Sequence, residues 1–265
     1  MIEKIFNILN IAQISKINKE ERFIFHKKIL NSKKMLKSCY SEFYLKIFQI
    51  EKKFKKKVNN QVRLELGSGI GFIKDFDKKV ITSDVVYNKF TDKTIDANKI
   101  PYKNNEIDSI FGIFCFHHFK DPFNFLKDVQ KKLKIGGLCI LIEPYYGPLA
   151  SLIYKNVHES EYFNIKEAFR YKNKNKTAME KANQALSYIY FIKSKNKFNH
   201  EFPKLEIVHT SIFNNYLRFL LSGGLNFKKL FPDFLIFFIK FLEIIISPLK
   251  KFFGIHYIIV IKRIK

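Results

Sequence analysis

Val62-Arg63-Leu64-Glu65-Leu66-Gly67-Ser68-Gly69-Ile70-Gly71-Phe72 reads as a short strand running straight into a glycine loop. Glycine at 67, 69 and 71 lets the backbone turn tightly and approach a ligand closely, at the start of the helix expected to follow. Dinucleotide sites space their glycines GxGxxG and seat a pyrophosphate on that helix N-terminus. Here the order is ExGxGxG, with Glu65 two residues before the first glycine. A carboxylate there repels a pyrophosphate and suits a ligand that carries positive charge.

Outward from this loop, short apolar runs alternate with helical stretches. Strands are predicted over 62–66, 80–83 (ending at Asp84), 94–95 (before Asp96), 107–114 and 138–142, the last after a Gly136-Gly137 turn. A helix is predicted over 122–133, and two further strands over 205–209 and 255–261. Strands interleaved with helices indicate a parallel sheet covered on both sides. Residues 1–60 contain neither Gly nor Pro and repeat apolar residues at helical spacing, which predicts two or three helices. The expected fold is therefore α/β: a Rossmann-like, mostly parallel sheet of seven strands with flanking helices. Four regions follow: a helical N-terminal cap (1–60), a ligand-binding core (61–147), a helical insertion before the last two strands (148–204), and C-terminal strands with an amphipathic helix (205–265). The Lys/Asn patch 171–176 is the candidate for a mobile loop.

A ligand with both an ammonium and a sulfonium fits an acid at position 65, and S-adenosylmethionine is such a ligand. Asp84, at a strand end, is placed to accept ribose hydroxyls, and Asp96-Ala97 to take the adenine amine. Ile100-Pro101-Tyr102, Ile107-Asp108-Ser109-Ile110-Phe111, Phe116-His117-His118-Phe119 and Gly136-Gly137 follow in order. This succession, over about residues 61–144, resembles the class I seven-stranded methyltransferases, particularly the type 11 group. The resemblance implies a cofactor site of Glu65, Gly67, Ser68, Gly69, Gly71, Asp84, Asp96, Ala97 and Phe114. The usual helix between Asp84 and Asp96 has shrunk to a short connection. Glu143-Pro144-Tyr145-Tyr146, His158-Glu159 and Tyr216-Leu217-Arg218 are similar to a bacterial subgroup associated with surface-polysaccharide and glycolipid loci.

Methyl transfer to an alcohol benefits from a base of near-neutral pKa, which favours histidine. His117 and His118 follow the fourth strand, at the carboxyl edge where open α/β sheets bind ligands; helix capping or packing is their alternative. His158 with Glu159 forms a second candidate base and orienting carboxylate, or a solvated surface pair. Glu143 closes the fifth strand and is a candidate for an acceptor hydroxyl, or a loop anchor. Tyr40 and Tyr44, four apart on one helical face, either lid the cofactor or pack in the core. The fourth strand lacks an Asn/Asp-Pro-Pro-Tyr ending, which argues against methylation of amino groups on DNA bases or glutamine. No metal-ligand motif is visible, and three widely spaced cysteines (Cys39, Cys115, Cys139) read as free thiols.

Of 265 residues, 48 are Lys or Arg and 24 Asp or Glu, for a formal charge of +24. Only five are Arg, and nucleic-acid readers lean on Arg, so DNA or RNA is disfavoured. The core 61–147 is nearly neutral at +2, while the flanks carry +10 and +12. Leu230-Phe231-Pro232-Asp233-Phe234-Leu235-Ile236-Phe237-Phe238-Ile239-Lys240-Phe241-Leu242-Glu243 continues as an apolar helix with Asp233, Lys240, Glu243 and Ser247 on one side. Its wide apolar arc suits an anionic membrane surface, the protein core or a dimer interface. The N-terminal residues lack a signal peptide's apolar stretch, which predicts a cytoplasmic protein, at most peripheral to the membrane. The expected function is S-adenosylmethionine-dependent O-methylation of a small-molecule or lipid-linked glycan acceptor. An RNA methyltransferase using the basic flanks, and a non-catalytic binding module, are the alternatives.

Overall fold

The computed structural model describes residues 19–55, 61–156, 161–170, 172 and 182–265. Strands β1 (Arg63–Leu66), β2 (Ile81–Asp84), β3 (Lys93–Thr94), β4 (Ile107–Ile113) and β5 (Leu133–Pro144) follow the expected order. A separate two-stranded parallel pair, β6 (Glu161–Tyr162) and β7 (Ala182–Asn183), belongs to the insertion. Strands β8 (Leu205–Ile212) and β9 (His256–Arg263) complete a seven-stranded sheet ordered β3-β2-β1-β4-β5-β9-β8. Neighbours from β3 to β5 are parallel, and β9 runs antiparallel to both β5 and β8.

Both faces of the central strands are apolar, so the sheet has to be covered on both sides. Along β5, Leu138, Ile140 and Ile142 point to one face, and Cys139 and Leu141 to the other. Helices α1 (Lys19–Ser32) and α2 (Lys34–Phe54) cover the first face. On α2, Leu36, Phe43, Tyr44, Ile47 and Ile50 recur at helical spacing and pack on Phe111, Ile113, Ile140 and Val260. The expected helical N-terminal region is present, and its α2 packs as a layer on the sheet's core. The segment that would make an additional N-terminal helix, 1–18, lies outside the described residues.

Helix α3 (Pro122–Lys132) covers the other face through Phe125, Leu126 and Val129. Its start follows from Asp121, whose carboxylate accepts the Asn124 N–H at 3.0 Å, and from Pro122 at the first helical position. The insertion adds α4 (Pro148–Asn156), a short helix Leu186–Tyr188 that widens into a π turn at Ile189–Lys193, and α5 (Lys195–Glu201). Its Tyr190, Phe191, Phe198 and Phe202 are fully buried beside Phe116. The C-terminal region carries α6 (Tyr216–Ser222) and α7 (Ile236–Ile245) between β8 and β9. No helix among the described residues is long and apolar enough to cross a membrane.

Three local expectations change. Strand β5 begins at Leu133, before Gly136-Gly137, where a turn was expected; the β4–β5 register shifts between Ile107 and Ser109, so the glycines serve an irregular strand. The glycine loop leads into a single 3₁₀ turn, Phe72–Asp75, and not an α-helix. The reason lies in space: Phe72 and Phe76 meet the ring of Tyr44, so α2 already occupies that part of the sheet face. The third difference is the β6–β7 pair, two residues per strand, which carries no periodicity to read.

Phe43 has no solvent exposure and meets Tyr40, Phe114, Phe213 and His256 edge-on. Phe43→Ala is expected to lower unfolding stability in urea by about 3–5 kcal/mol, the cost of a large buried cavity. A loss under about 1 kcal/mol would show that α2 is not a structural layer of the sheet.

Candidate functional site

Gly67, Gly69 and Gly71 all adopt positive φ, at 65°, 53° and 66°. Two of them are also sterically enforced. A Cβ on Gly67 would lie 2.7 Å from the Cβ of Cys115, and one on Gly71 would run into the Phe90 carbonyl oxygen. Gly69 differs: nothing lies within 4 Å of where its Cβ would be, so the middle of the loop faces open space. Ser68 ties the loop down, since its hydroxyl accepts the Ser83 N–H at 3.0 Å and its N–H donates to the Ser83 carbonyl at 2.8 Å.

Glu65 is 1 % exposed and its Oε1 accepts the Tyr44 hydroxyl at 2.9 Å. Its Oε2 is buried without a hydrogen-bond partner. Burial pushes its pKa up to about 7, against the pull of bonds from Ser68 and Tyr44. An orphaned carboxylate oxygen beside an open glycine loop is what a cation-bearing ligand requires. Asp84 ends β2 with Oδ2 accepting Gly69 N–H and Oδ1 accepting Val86 N–H, both at 3.1 Å. Burial raises its pKa, while these N–H groups and the nearby Arg22 guanidinium of α1 oppose the rise. Asp96 is exposed and accepts two bonds from Asn98, from its N–H at 2.9 Å and its side-chain amide at 2.8 Å, next to buried Ala97. Phe114 holds φ 52°, a costly conformation for an aromatic residue, and its ring packs with Phe43, Tyr40, Phe219 and His256.

Past Phe114, Glu143 organises the turn. Its side chain is fully buried, and Oε1 accepts the N–H groups of Cys115 and Phe116 at 3.0 and 2.9 Å. Oε2 lies 2.6 Å from His117 Nδ1. Of the two roles its sequence position offered, acceptor contact or loop anchor, the geometry matches the anchor, and Glu143 also holds His117, itself 4 % exposed. Burial pulls the His117 pKa down, but Glu143 and then Glu161 outweigh it and hold the pKa above its ordinary value. His117 Nε2 lies 3.9 Å from Glu161 Oε2, and His118 Nε2 lies 3.4 Å from Glu161 Oε1. The donor atoms of His117, His118 and Glu161 all fall within 4.8 Å of one another. That spacing suits a cation, but imidazole–carboxylate contacts and the Gln184 amide that donates to Glu161 account for it equally.

His158 and Glu159 lie outside the described residues, as does most of the 171–176 patch. Glu161 and Gln184 were missed in the sequence because they come from β6 and the residue after β7, which only the tertiary fold brings to the turn after β4. His256 was missed too. It is 4 % exposed, and burial alone drops its pKa to about 3, so it stands neutral among Phe43, Phe114 and Phe219.

A glycine loop after the first strand, an acid ending the second, and a lone antiparallel strand near one edge define a Rossmann-like methyltransferase fold. Residues 64–141 match the family described as Methyltransferase domain. Similar solved structures include a geranyl diphosphate C-methyltransferase from Streptomyces coelicolor A3(2), with Mg2+, geranyl diphosphate and S-adenosyl-L-homocysteine (10% identity, 96% of this chain, 88% of that chain, TM-score 0.50). A putative methyltransferase in complex with the Haloferax volcanii Trm112 activator is 10% identical over 90% of this chain and 92% of that one, with a TM-score of 0.47. Phosphoethanolamine N-methyltransferase 2 of Haemonchus contortus, in complex with S-adenosyl-L-methionine, is 11% identical over all of this chain and 60% of that one, with a TM-score of 0.49. No curated protein matches the sequence. Residues 64–141 thus match a methyltransferase domain, and the chain around them has the Rossmann-like methyltransferase fold.

Gly71→Ala is expected to destabilise the protein more than Gly69→Ala in chemical denaturation. Both incur the left-handed penalty of about 1–2 kcal/mol, but only Gly71→Ala adds a backbone clash. Equal losses would contradict the geometry of the loop.

Proposed function

We propose that this enzyme methylates a hydroxyl oxygen of a sugar or lipid-linked glycan intermediate beside an anionic membrane, with His117 as the base that takes the hydroxyl proton. The observation that carries the reading is the 2.6 Å contact between His117 Nδ1 and a fully buried Glu143. A carboxylate on Nδ1 keeps the proton there and leaves Nε2 as the acceptor (the tautomer follows from the hydrogen bond). Glu143 and Glu161 then stabilise the imidazolium that forms, as the raised His117 pKa reflects.

S-adenosylmethionine, when bound, supplies an electrophilic methyl group for in-line displacement. In this reading Glu65 Oε2 holds the ammonium, the main chain of Gly67, Ser68, Gly69 and Gly71 forms the cradle, and Asp84 takes the ribose hydroxyls. Asp96, Ala97 and the turn at Phe114 border the adenine. The fit rests on the orphaned Glu65 oxygen and the open space at Gly69. The residues of the chain do the remaining work: they align the acceptor, exclude water and remove one proton.

Calorimetry with S-adenosylmethionine tests the cofactor site. Wild type is expected to bind, and Asp84→Ala to bind at least about tenfold more weakly, the loss of a charged hydrogen-bond acceptor. Because the free Glu65 pKa lies at about 7 and a bound ammonium favours its ionised form, binding near pH 7 should release protons and tighten as pH rises. Unchanged affinity in Asp84→Ala together with pH-independent binding would reject the site.

The base has its own signature. His117→Ala should lower turnover by about 10²–10⁴-fold and leave cofactor affinity within a factor of two. The neutral imidazole is the active form, so the rate should rise with pH through an apparent pKa above 6.5. Removing a carboxylate that favours imidazolium lowers the pKa, so Glu161→Gln should move the profile toward acid. Full activity of His117→Ala, or a profile that Glu161→Gln does not move, would remove His117 from the mechanism. Labelled methyl groups from the cofactor should appear in glycolipid fractions; label found in RNA instead would overturn the acceptor class.

A further inference from the structure

An amphipathic helix of a globular protein ordinarily turns its apolar face inward; α7 buries Ile239 together with Glu243 and leaves most of its large apolar side chains facing outward. Glu243 is 2 % exposed, and its two carboxylate oxygens accept the Arg218 N–H at 2.9 Å and the Arg218 Nε at 2.6 Å. The same guanidinium reaches Ser38 and both oxygens of Glu42 on α2. Asp233 accepts the Met35 N–H at 3.3 Å and pairs with Lys229 at 2.8 Å, and Lys240 lies 3.7 Å from Glu42. With the polar stripe anchored against the protein, Phe234, Phe237, Phe238, Phe241 and Ile244 stand 58–80 % exposed, and the row continues to Phe252. This is an ordered, contiguous aromatic surface, far beyond the scattered apolar residues a soluble exterior carries.

We propose that this outward face seats the enzyme on the surface of an anionic lipid bilayer. Charge selects that occupant. Between 225 and 253 the only acids are Asp233 and Glu243, and both are turned inward and paired. Lys228 precedes the apolar row and Lys250 and Lys251 follow it, all exposed. A face rimmed by ammonium groups and free of carboxylates complements anionic headgroups, whereas a two-fold copy of itself would oppose like charges. The ten residues of α7 span about 15 Å, half the hydrocarbon thickness of a bilayer, so the helix lies in the interface plane and does not cross it. The surface extends the lipid-linked acceptor reading, from which it takes its purpose, but vesicle binding requires neither cofactor nor acceptor.

The full chain is tested by flotation with phosphatidylcholine vesicles with and without phosphatidylglycerol. Wild type is expected to float with the anionic vesicles only. Phe237→Ser with Phe241→Ser, whose side chains contribute little to the core, should reduce binding by about tenfold or more. The same double variant should keep wild-type melting and cofactor affinity. Lys250→Glu with Lys251→Glu should remove the preference for anionic lipid. Failure of wild type to float, or flotation of the Phe237→Ser and Phe241→Ser variant equal to wild type, would overturn the proposal. A dimer in sedimentation that this variant abolishes, without vesicle binding, would assign the face to a second copy and overturn it too. Vesicle binding without methylation of glycolipid would reject the acceptor reading alone.

Discussion

Strands β4 and β5 are buried on both faces, and that constraint shapes everything placed around them. A two-sided apolar sheet in water needs a helical layer on each side. Helix α2 supplies one layer; α3 and the aromatic residues of the insertion supply the other. Once α2 lies across Phe111 and Ile140, the chain after the glycine loop has no face left to cover, and it turns through Phe72–Asp75 directly toward β2. The open side of that loop follows from the same crowding, because Cys115 and the Phe90 carbonyl press on Gly67 and Gly71 and leave Gly69 clear.

Two buried carboxylates then set the functional geometry, each fully engaged. Glu143 binds two backbone N–H groups and His117, which fixes the strained turn at Phe114 and the direction of the imidazole together. Glu243 binds Arg218, which also holds α2 through Glu42, so one guanidinium joins three elements. Leaving either carboxylate unpaired would cost far more than an exposed ion pair contributes, and these contacts therefore act as positional constraints. A third carboxylate, Glu65, is only half satisfied: Oε1 accepts the Tyr44 hydroxyl and Oε2 is buried without a partner, which is what supports its proposed role toward a cationic ligand.

Much of this was legible in the chain itself. The ExGxGxG order and Asp84 at a strand end act over a few residues, where local chemistry decides conformation. Alternation along the strands and helical spacing in α2 gave the layers, although not the depth to which α2 is buried. The partner of His117 was not legible, because Glu143 lies 26 residues away, and Glu161 and Gln184 come from strands of two residues. The pairing of Glu143 with a backbone turn depends on the β4–β5 register, which a bulge shifts.

Local pattern alone determined the parallel α/β sheet, the glycine loop with its acids, and the two stripes of α7. Tertiary structure decided which stripe faces inward. Periodicity separates polar from apolar residues around a helix but carries no direction, and that direction comes from Arg218 and Glu42, the latter 176 residues from its partner. It likewise decided that Glu143 serves His117 and not solvent, since a carboxylate's role depends on which donors surround it after burial.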